Sequence, residues 1–211
     1  MSGTTGEGAV AEPGGGGAGR VVVLVNGMPA AGKTTLARAL GRRLGLPLFS
    51  KDAIKEAHAG VLGAQPPDGR PQREWNRQLG AAASAAMWAL LADAPGGAVL
   101  DSTWPAAETW EYVRGGLLEA GVDRPLQIWC EVPVEVARRR HELRHPTRHP
   151  LHGASPDVEE WYGRWARATP LPLARTRRVD TARPVDLDAL AEWCRRTAAL
   201  PSDPAGSGFG R

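Results

Sequence analysis

Apolar positions along the chain follow two rhythms, short unbroken aliphatic runs and stripes at i, i+3, i+4 spacing, which mark strands and helices respectively. Residues 21–25 form an unbroken apolar run, as a strand buried on both faces carries. Leu36, Leu40 and Leu44 then recur every four residues as a helix face. Arg42 and Arg43 fall in the last turn of that helix, and Gly45 and Pro47 end it. Residues 46–50 read as a second strand, followed by a helix from Ala53 with Asp52 as a candidate N-cap. The Gly/Pro-rich stretch 60–71 reads as a loop. A long helix is expected over 74–92, with Trp75, Leu79, Ala82, Ala83, Ala86 and Leu90 on its buried face. The third strand is 97–101, and 105–120 reads as a helix with Trp110, Val113 and Leu117 in its stripe. The fourth strand is 125–132, and Pro133 suits the first turn of the next helix. Ser155 and Pro156 open another helix, in which Trp161 and Trp165 are an i, i+4 pair. A weak fifth strand over 176–181 precedes a last helix capped by Asp186, with Leu187, Leu190, Trp193 and Cys194 on its face. Strands alternating with helices imply a parallel sheet with helices on both faces.

The turn between the first strand and first helix is Gly27-Met28-Pro29-Ala30-Ala31-Gly32-Lys33-Thr34, which fits the P-loop pattern G-x-x-x-x-G-K-[ST]. The bare pattern is common, but here a strand precedes it and a helix follows it in register. Glycines let the backbone wrap an anion closely, so that amide N–H groups and a helix N-terminus face phosphate oxygens. Lys33 would reach the β- and γ-phosphates, and the Thr34 hydroxyl would ligate Mg²⁺.

Composition narrows the setting. The 211 residues suit one α/β domain, expected over 20–200, with tails 1–19 and 201–211 expected to lack fixed structure. Two cysteines, Cys130 and Cys194, lie in apolar or helical stretches without metal spacing, which fits a reduced cytoplasmic protein. No stretch approaches a transmembrane span, and residues 1–19 lack the pattern of a signal peptide. The net charge of +3 does not identify a nucleic-acid binder. Its make-up is lopsided, with 23 arginines against three lysines, Lys33, Lys51 and Lys55. In so arginine-biased a chain, each surviving lysine hints that an ammonium is wanted there.

Three further features carry candidate chemistry. Asp52 follows the second strand, at the sheet edge where open α/β folds bind ligands, and is read as a general base as well as a cap. Asp101 ends the third strand, where a carboxylate would hold the metal's hydration shell, with capping ahead of Pro105 as the alternative. Arg138, Arg139, Arg140, Arg144 and Arg148 crowd the helix after the fourth strand. Arg140 and Arg144, at i, i+4, can converge on one face, where guanidinium forks suit phosphate oxygens. Thr181, Arg183 and Pro184 at the end of the fifth strand would edge the adenine pocket. Asp93-Ala-Pro-Gly96 formally matches a GTPase motif but follows a helix, and it reads as a helix-ending turn. His145, His149 and His152 lack metal spacing.

The P-loop, Ser50-Lys-Asp-Ala-Ile-Lys-Glu56, Asp101-Ser-Thr103 and the segment ending Arg148-His149-Pro150 together resemble a family. It is the small P-loop kinases related to polynucleotide kinase, chloramphenicol phosphotransferase and the zeta toxins, often labelled AAA-family ATPases. The resemblance covers residues 20–197 and implies a three-layer P-loop NTPase fold. That fold has a five-stranded parallel sheet in the order 2-3-1-4-5 and an Arg-rich lid near 136–155. It implies ATP and Mg²⁺ held by Gly32, Lys33, Thr34 and Thr35; Gly27, Pro29, Ala30, Ala31, Arg148 and Thr181 are also expected around the nucleotide, and Thr34 and Asp101 at the metal. Asp52, Lys33, Arg140 and Arg144 would be catalytic. The expected reaction moves the γ-phosphate to a hydroxyl of a small molecule. The alternatives are a polynucleotide 5′-hydroxyl kinase, or an ATPase switch without an acceptor. The acceptor pocket is expected between Asp52, residues 60–90 and Trp104.

Overall fold

A computed structural model of the protein describes residues 20–144, 149, 151 and 157–200. The expected tails, Arg148 and most of the expected lid lie outside the described residues. The elements are β1 (Val21–Asn26), α1 (Lys33–Leu44), β2 (Leu48–Ser50), α2 (Lys51–Leu62), α3 (Gln72–Ala92) and β3 (Gly97–Asp101), then α4 (Ala106–Glu119), β4 (Leu126–Glu131), α5 (Val134–Arg144), α6 (Val158–Trp165), β5 (Thr176–Asp180) and α7 (Leu187–Ala199). All four strand pairings are parallel, and the order is β2-β3-β1-β4-β5, as expected.

Strand alternation divides the core. Val23 and Val25 of β1 face α1 and α7, against Leu36, Leu40, Leu190 and Cys194. Val22 and Leu24 face the other way, against Met87, Trp88 and Leu91 of α3 and Val113 and Leu117 of α4. Both faces of β1 are therefore dry, which is why its sequence shows no polar alternation. The sheet register sets the ends of β2, β3 and β1 level, with Ser50 beside Asp101 and Asp101 beside Val25. Loops leaving these ends share one rim of the sheet.

Several boundaries differ from expectation. α2 begins at Lys51 with Ser50 as its N-cap residue, so Asp52 sits inside the first turn and is not the cap. α2 also runs to Leu62, into the stretch expected to be loop, because Ala59 packs under Leu79 and Leu151. The buried face of α3 is Leu79, Ala83, Ser84, Met87, Trp88 and Leu91, whereas Ala82 and Leu90 are exposed. The α3 helix touches both the sheet and α4, so its apolar arc is rotated from the one the alanines suggested. Asp186 caps α7 as expected, accepting from the Ala189 amide at 3.0 Å.

Candidate active site

The turn between β1 and α1 is shaped by backbone that few residues adopt. Gly27 has φ 143°, and a Cβ there would lie 2.7 Å from the Cys130 carbonyl oxygen. Gly32, the N-cap residue of α1, has φ 81°, and Ala30 holds φ 63° without being glycine. No side chain caps α1, so its first N–H groups remain available to a ligand.

The turn is anchored by a side chain. Asn26 is fully buried at the end of β1. Its Oδ1 accepts from the Gly27 amide at 2.7 Å and the Trp104 amide at 2.8 Å. Its Nδ2 donates to the Trp104 carbonyl at 2.8 Å and to Gln127 Oε1 at 3.1 Å. One amide therefore ties the phosphate turn to the loop after β3 and to β4. The sequence signal for this anchor is a polar residue closing an otherwise apolar run.

Lys33 is buried, and its Nζ donates to the Met28 carbonyl at 2.8 Å, folding back over its own loop. Burial pushes its pKa below the ordinary lysine range, and the nearby charge of Asp101 opposes that shift. Asp101 is 3% exposed. Its Oδ2 accepts from Thr34 Oγ1 at 2.7 Å and Ser50 Oγ at 3.1 Å, while Oδ1 is buried without a hydrogen-bond partner. Burial raises its pKa, against the hydrogen bond from Thr34 and the charge of Lys33. The capping alternative for Asp101 is absent, because α4 starts after Pro105 without a side-chain cap. Among the described residues no cluster of three or more His, Cys, Asp or Glu could hold a metal. The donor set is instead one hydroxyl and one carboxylate with a spare buried oxygen, which suits Mg²⁺ carrying most of its water shell. Cys130, behind Gly27, is buried and its thiol is pushed up to about 12, so it is inert.

Two cavities meet at this turn. The first, of about 550 Å³, is lined by Ala30, Gly32, Thr35, Arg140, Arg144 and Thr181, with Arg183 and Pro184 at its edge. Both Nη atoms of Arg140 donate to the Thr181 carbonyl at 3.3 Å, and the Thr181 hydroxyl donates to the Glu131 carbonyl at 2.9 Å. The second, of about 1150 Å³, takes in Pro29, Lys33, Thr34 and Asp101 and runs along α2 past Lys51 and Asp52 to α4 and α6. Ala30, Gly32, Thr35 and Arg144 line both. The i, i+4 spacing of Arg140 and Arg144 thus brings both to the first cavity, and Arg144 alone of the two to the border. Arg138 is ion-paired with Glu142 on the outside of α5. Asp52 makes no hydrogen bond among the described residues and opens to the second cavity.

The far wall of the second cavity departs from expectation. Trp104 is 1% exposed and stacks on Trp88 at 6.2 Å and 25°, so it belongs to the core. Of residues 60–90, only Leu90 lines the cavity. The wall comes instead from Thr103, Glu108 and Thr109 near α4, His141 of α5, and Glu160, Trp161, Arg164 and Trp165 of α6. Buried His141 packs on Trp161 with ring centroids 4.9 Å apart, and Arg164 pairs with Glu108 at 2.8 Å. Nothing in the local sequence marks these residues as one surface, since the chain returns to α4 only through α6.

No helix among the described residues is long and apolar enough to cross a membrane. Residues 22–160 match the family model described as AAA domain. Among solved structures, a provisionally named kinase from Chloroflexus aurantiacus J-10-fl is 31% identical over 84% of this chain and 98% of its own, with a TM-score of 0.72. The shikimate kinase of Acinetobacter baumannii is 18% identical over 82% of this chain and 89% of its own, at a TM-score of 0.51. The tunicamycin resistance protein of Deinococcus radiodurans is 20% identical over 86% of this chain and 98% of its own, also at 0.51. These last two likenesses are of fold. No curated protein matches the chain. The family match over most of the described sheet, the strand order and the P-loop geometry agree, and the chain belongs to the AAA domain family in its P-loop, kinase-like form.

Proposed function

We propose that this protein is an ATP-dependent phosphotransferase whose acceptor is a hydroxyl of a small molecule in the cytoplasm, and that residues 20–200 are its single catalytic domain. The observation that supports this most directly is the shared border of the two cavities. Ala30, Gly32, Thr35 and Arg144 stand between a pocket sized for a nucleoside and a second pocket holding a carboxylate that no neighbour occupies. A switch without an acceptor has no use for that second pocket. Its mixed charge and aromatic wall fit a small molecule better than a polyanionic strand, which needs a basic channel with stacking aromatics.

In the proposed reaction the acceptor oxygen attacks the γ-phosphorus as its proton passes to Asp52. The bond from γ-phosphorus to the β–γ bridging oxygen breaks, and ADP leaves. Lys33 and Arg144 neutralise charge on the transferring group, and the N-terminus of α1 cradles the β-phosphate. Arg140 holds the Thr181 carbonyl and so shapes the base-side wall. Thr34, with Asp101 behind it, would hold Mg²⁺, which when bound offsets the charge of the phosphate oxygens. Asp52 keeps its proton-accepting role open because no neighbour among the described residues takes its oxygens, whereas Asp101 already accepts two hydrogen bonds.

The test is transfer from radiolabelled ATP to a library of hydroxyl metabolites, nucleosides, antibiotics and oligonucleotides. Asp52→Asn is expected to lose transfer by about 10²–10⁴-fold in kcat while ATP affinity stays within about twofold. A variant as active as wild type removes Asp52 from the mechanism. ATP turnover with no phosphorylated acceptor points to a switch.

A further inference from the structure

Most charged side chains along the second cavity have an evident partner or ready access to water. Lys33 and Asp101 belong to the phosphate turn. Arg164 and Glu108 pair with each other, and Lys55 and Glu56 interact with neighbours. Arg38 and Glu160 stand exposed, where water solvates them. Lys51 differs. It occupies the first turn of α2 beside Asp52, lies half-buried in the cavity wall, and has no hydrogen bond or ion pair among the described residues.

Drawing an ammonium partly out of water is unfavourable unless an anion or acceptor replaces the lost hydration. Burial holds the Lys51 amine below the ordinary lysine range, and the charge of Asp52 only partly opposes this. The chain also uses lysine at just three positions against 23 arginines. A compact ammonium with rotatable donors suits one oxygen cluster approached from a variable angle.

We infer that Lys51 anchors the acceptor, and that the acceptor carries an anionic group, a carboxylate or a phosphate ester, in the same molecule as the hydroxyl that Asp52 deprotonates. This rests on reading the second cavity as a hydroxyl-acceptor site. Lys51 and Asp52 are adjacent in one helical turn, so the anionic group and the reactive hydroxyl lie within a side chain's reach of each other. A neutral acceptor leaves the ammonium unpaired, and a cationic one adds repulsion.

Two measurements test it. In the first, the protein is saturated with Mg²⁺ and a non-hydrolysable ATP analogue, so that the P-loop is filled. Inorganic phosphate and malonate are then titrated while the melting temperature is read. Stabilisation by either anion is expected in wild type and in Lys51→Arg, and is expected to vanish in Lys51→Gln. In the second, transfer is compared across matched acceptors: gluconate with glucose, glycerate with glycerol, and glucose 6-phosphate with glucose. The anionic member is expected to be preferred, and Lys51→Gln to raise its KM by about 10–100-fold with the KM for ATP unchanged. The carboxylate and phosphate pairs separate the two sources of charge. Transfer that favours the neutral members, or a Lys51→Gln defect equal for both members of a pair, overturns the inference and leaves the kinase reading standing. Nucleotide binding with no transfer to any member, and no anion-dependent stabilisation, overturns both.

Discussion

The two cavities are made by different means. One side of the nucleotide cavity is a continuous stretch, residues 27–36, whose shape is held by backbone at Gly27, Ala30 and Gly32, and the other side is Arg140, Arg144 and the segment from Thr181 to Leu187. The cavity proposed for the acceptor meets the same turn and adds side chains on α1, α2, α4, α5 and α6. Phosphate is the same in every nucleotide, so a turn of amides serves any member of such a family. An acceptor varies, and side chains on five separated helices can change without disturbing the turn. Among the described residues, Ala30, Gly32, Thr35 and Arg144 are the surface the two cavities share.

The largest expected effects separate the two sides. Lys33→Met should lose transfer and nucleotide affinity together, because it removes the buried ammonium from the turn, whereas Asp52→Asn loses transfer alone. Isothermal titration with ATP alongside a transfer assay reads the difference, and equal loss of ATP affinity in both variants would erase it. Next come the arginines. Arg144→Ala should cut kcat by about 10²–10³-fold, since it lies on the border. Arg140→Ala should act chiefly on the KM for ATP, since it holds the Thr181 carbonyl. Reversal of that split in steady-state kinetics would move the border to Arg140.

Smaller effects test the scaffold. Gly27→Ala places a methyl against the Cys130 carbonyl and should cost about 1–3 kcal/mol, seen as a lower melting temperature. The least effect concerns Asp101, whose pKa is raised by burial. Such a group binds more protons folded than unfolded between its ordinary and raised values, so its stabilising contribution falls as pH rises through that window. Ligand-free Asp101→Asn should therefore gain on wild type in melting temperature as pH climbs from the ordinary carboxylate value of 3.8. A constant difference would mean that the hydrogen bonds from Thr34 and Ser50 cancel the burial.

Much of the fold was legible because each local signal had one reading. The five strands, their parallel direction and the P-loop follow from apolar runs separated by helical stripes and from one glycine-rich turn, and the order 2-3-1-4-5 from the resemblance. Helix faces were legible where bulky aliphatic residues mark them and not where alanines fill the helix. α1 presents Leu36 and Leu40 as expected, but α3 packs on the sheet and on α4, so the arc through Ala82 and Leu90 was misassigned. Of the two roles expected of Asp52, base and cap, the cap is absent, because Ser50 and Asp52 both have N-cap chemistry and the hydrogen bond that commits the Ser50 hydroxyl to Asp101 is non-local. Trp104 was expected on the acceptor side because it follows Asp101 at the end of the third strand, but of the two it is its neighbour Thr103 that lines the cavity. Asn26 holds the Trp104 backbone in the loop after β3, and its ring turns inward onto Trp88.

By itself, then, the sequence determined the elements, the parallel pairing and the nucleotide turn, since these depend on periodicity and on short-range steric rules, while the sheet order came from the resemblance to the P-loop kinases. Only the tertiary structure decided which side chains face one another across the second cavity. His141, Trp161, Arg164, Glu108 and Lys51 lie far apart in the chain, and no pattern within a single element records their meeting. Packing also left Lys51 half out of water beside Asp52, and a list of lysines cannot state a cost that depends on what surrounds the ammonium.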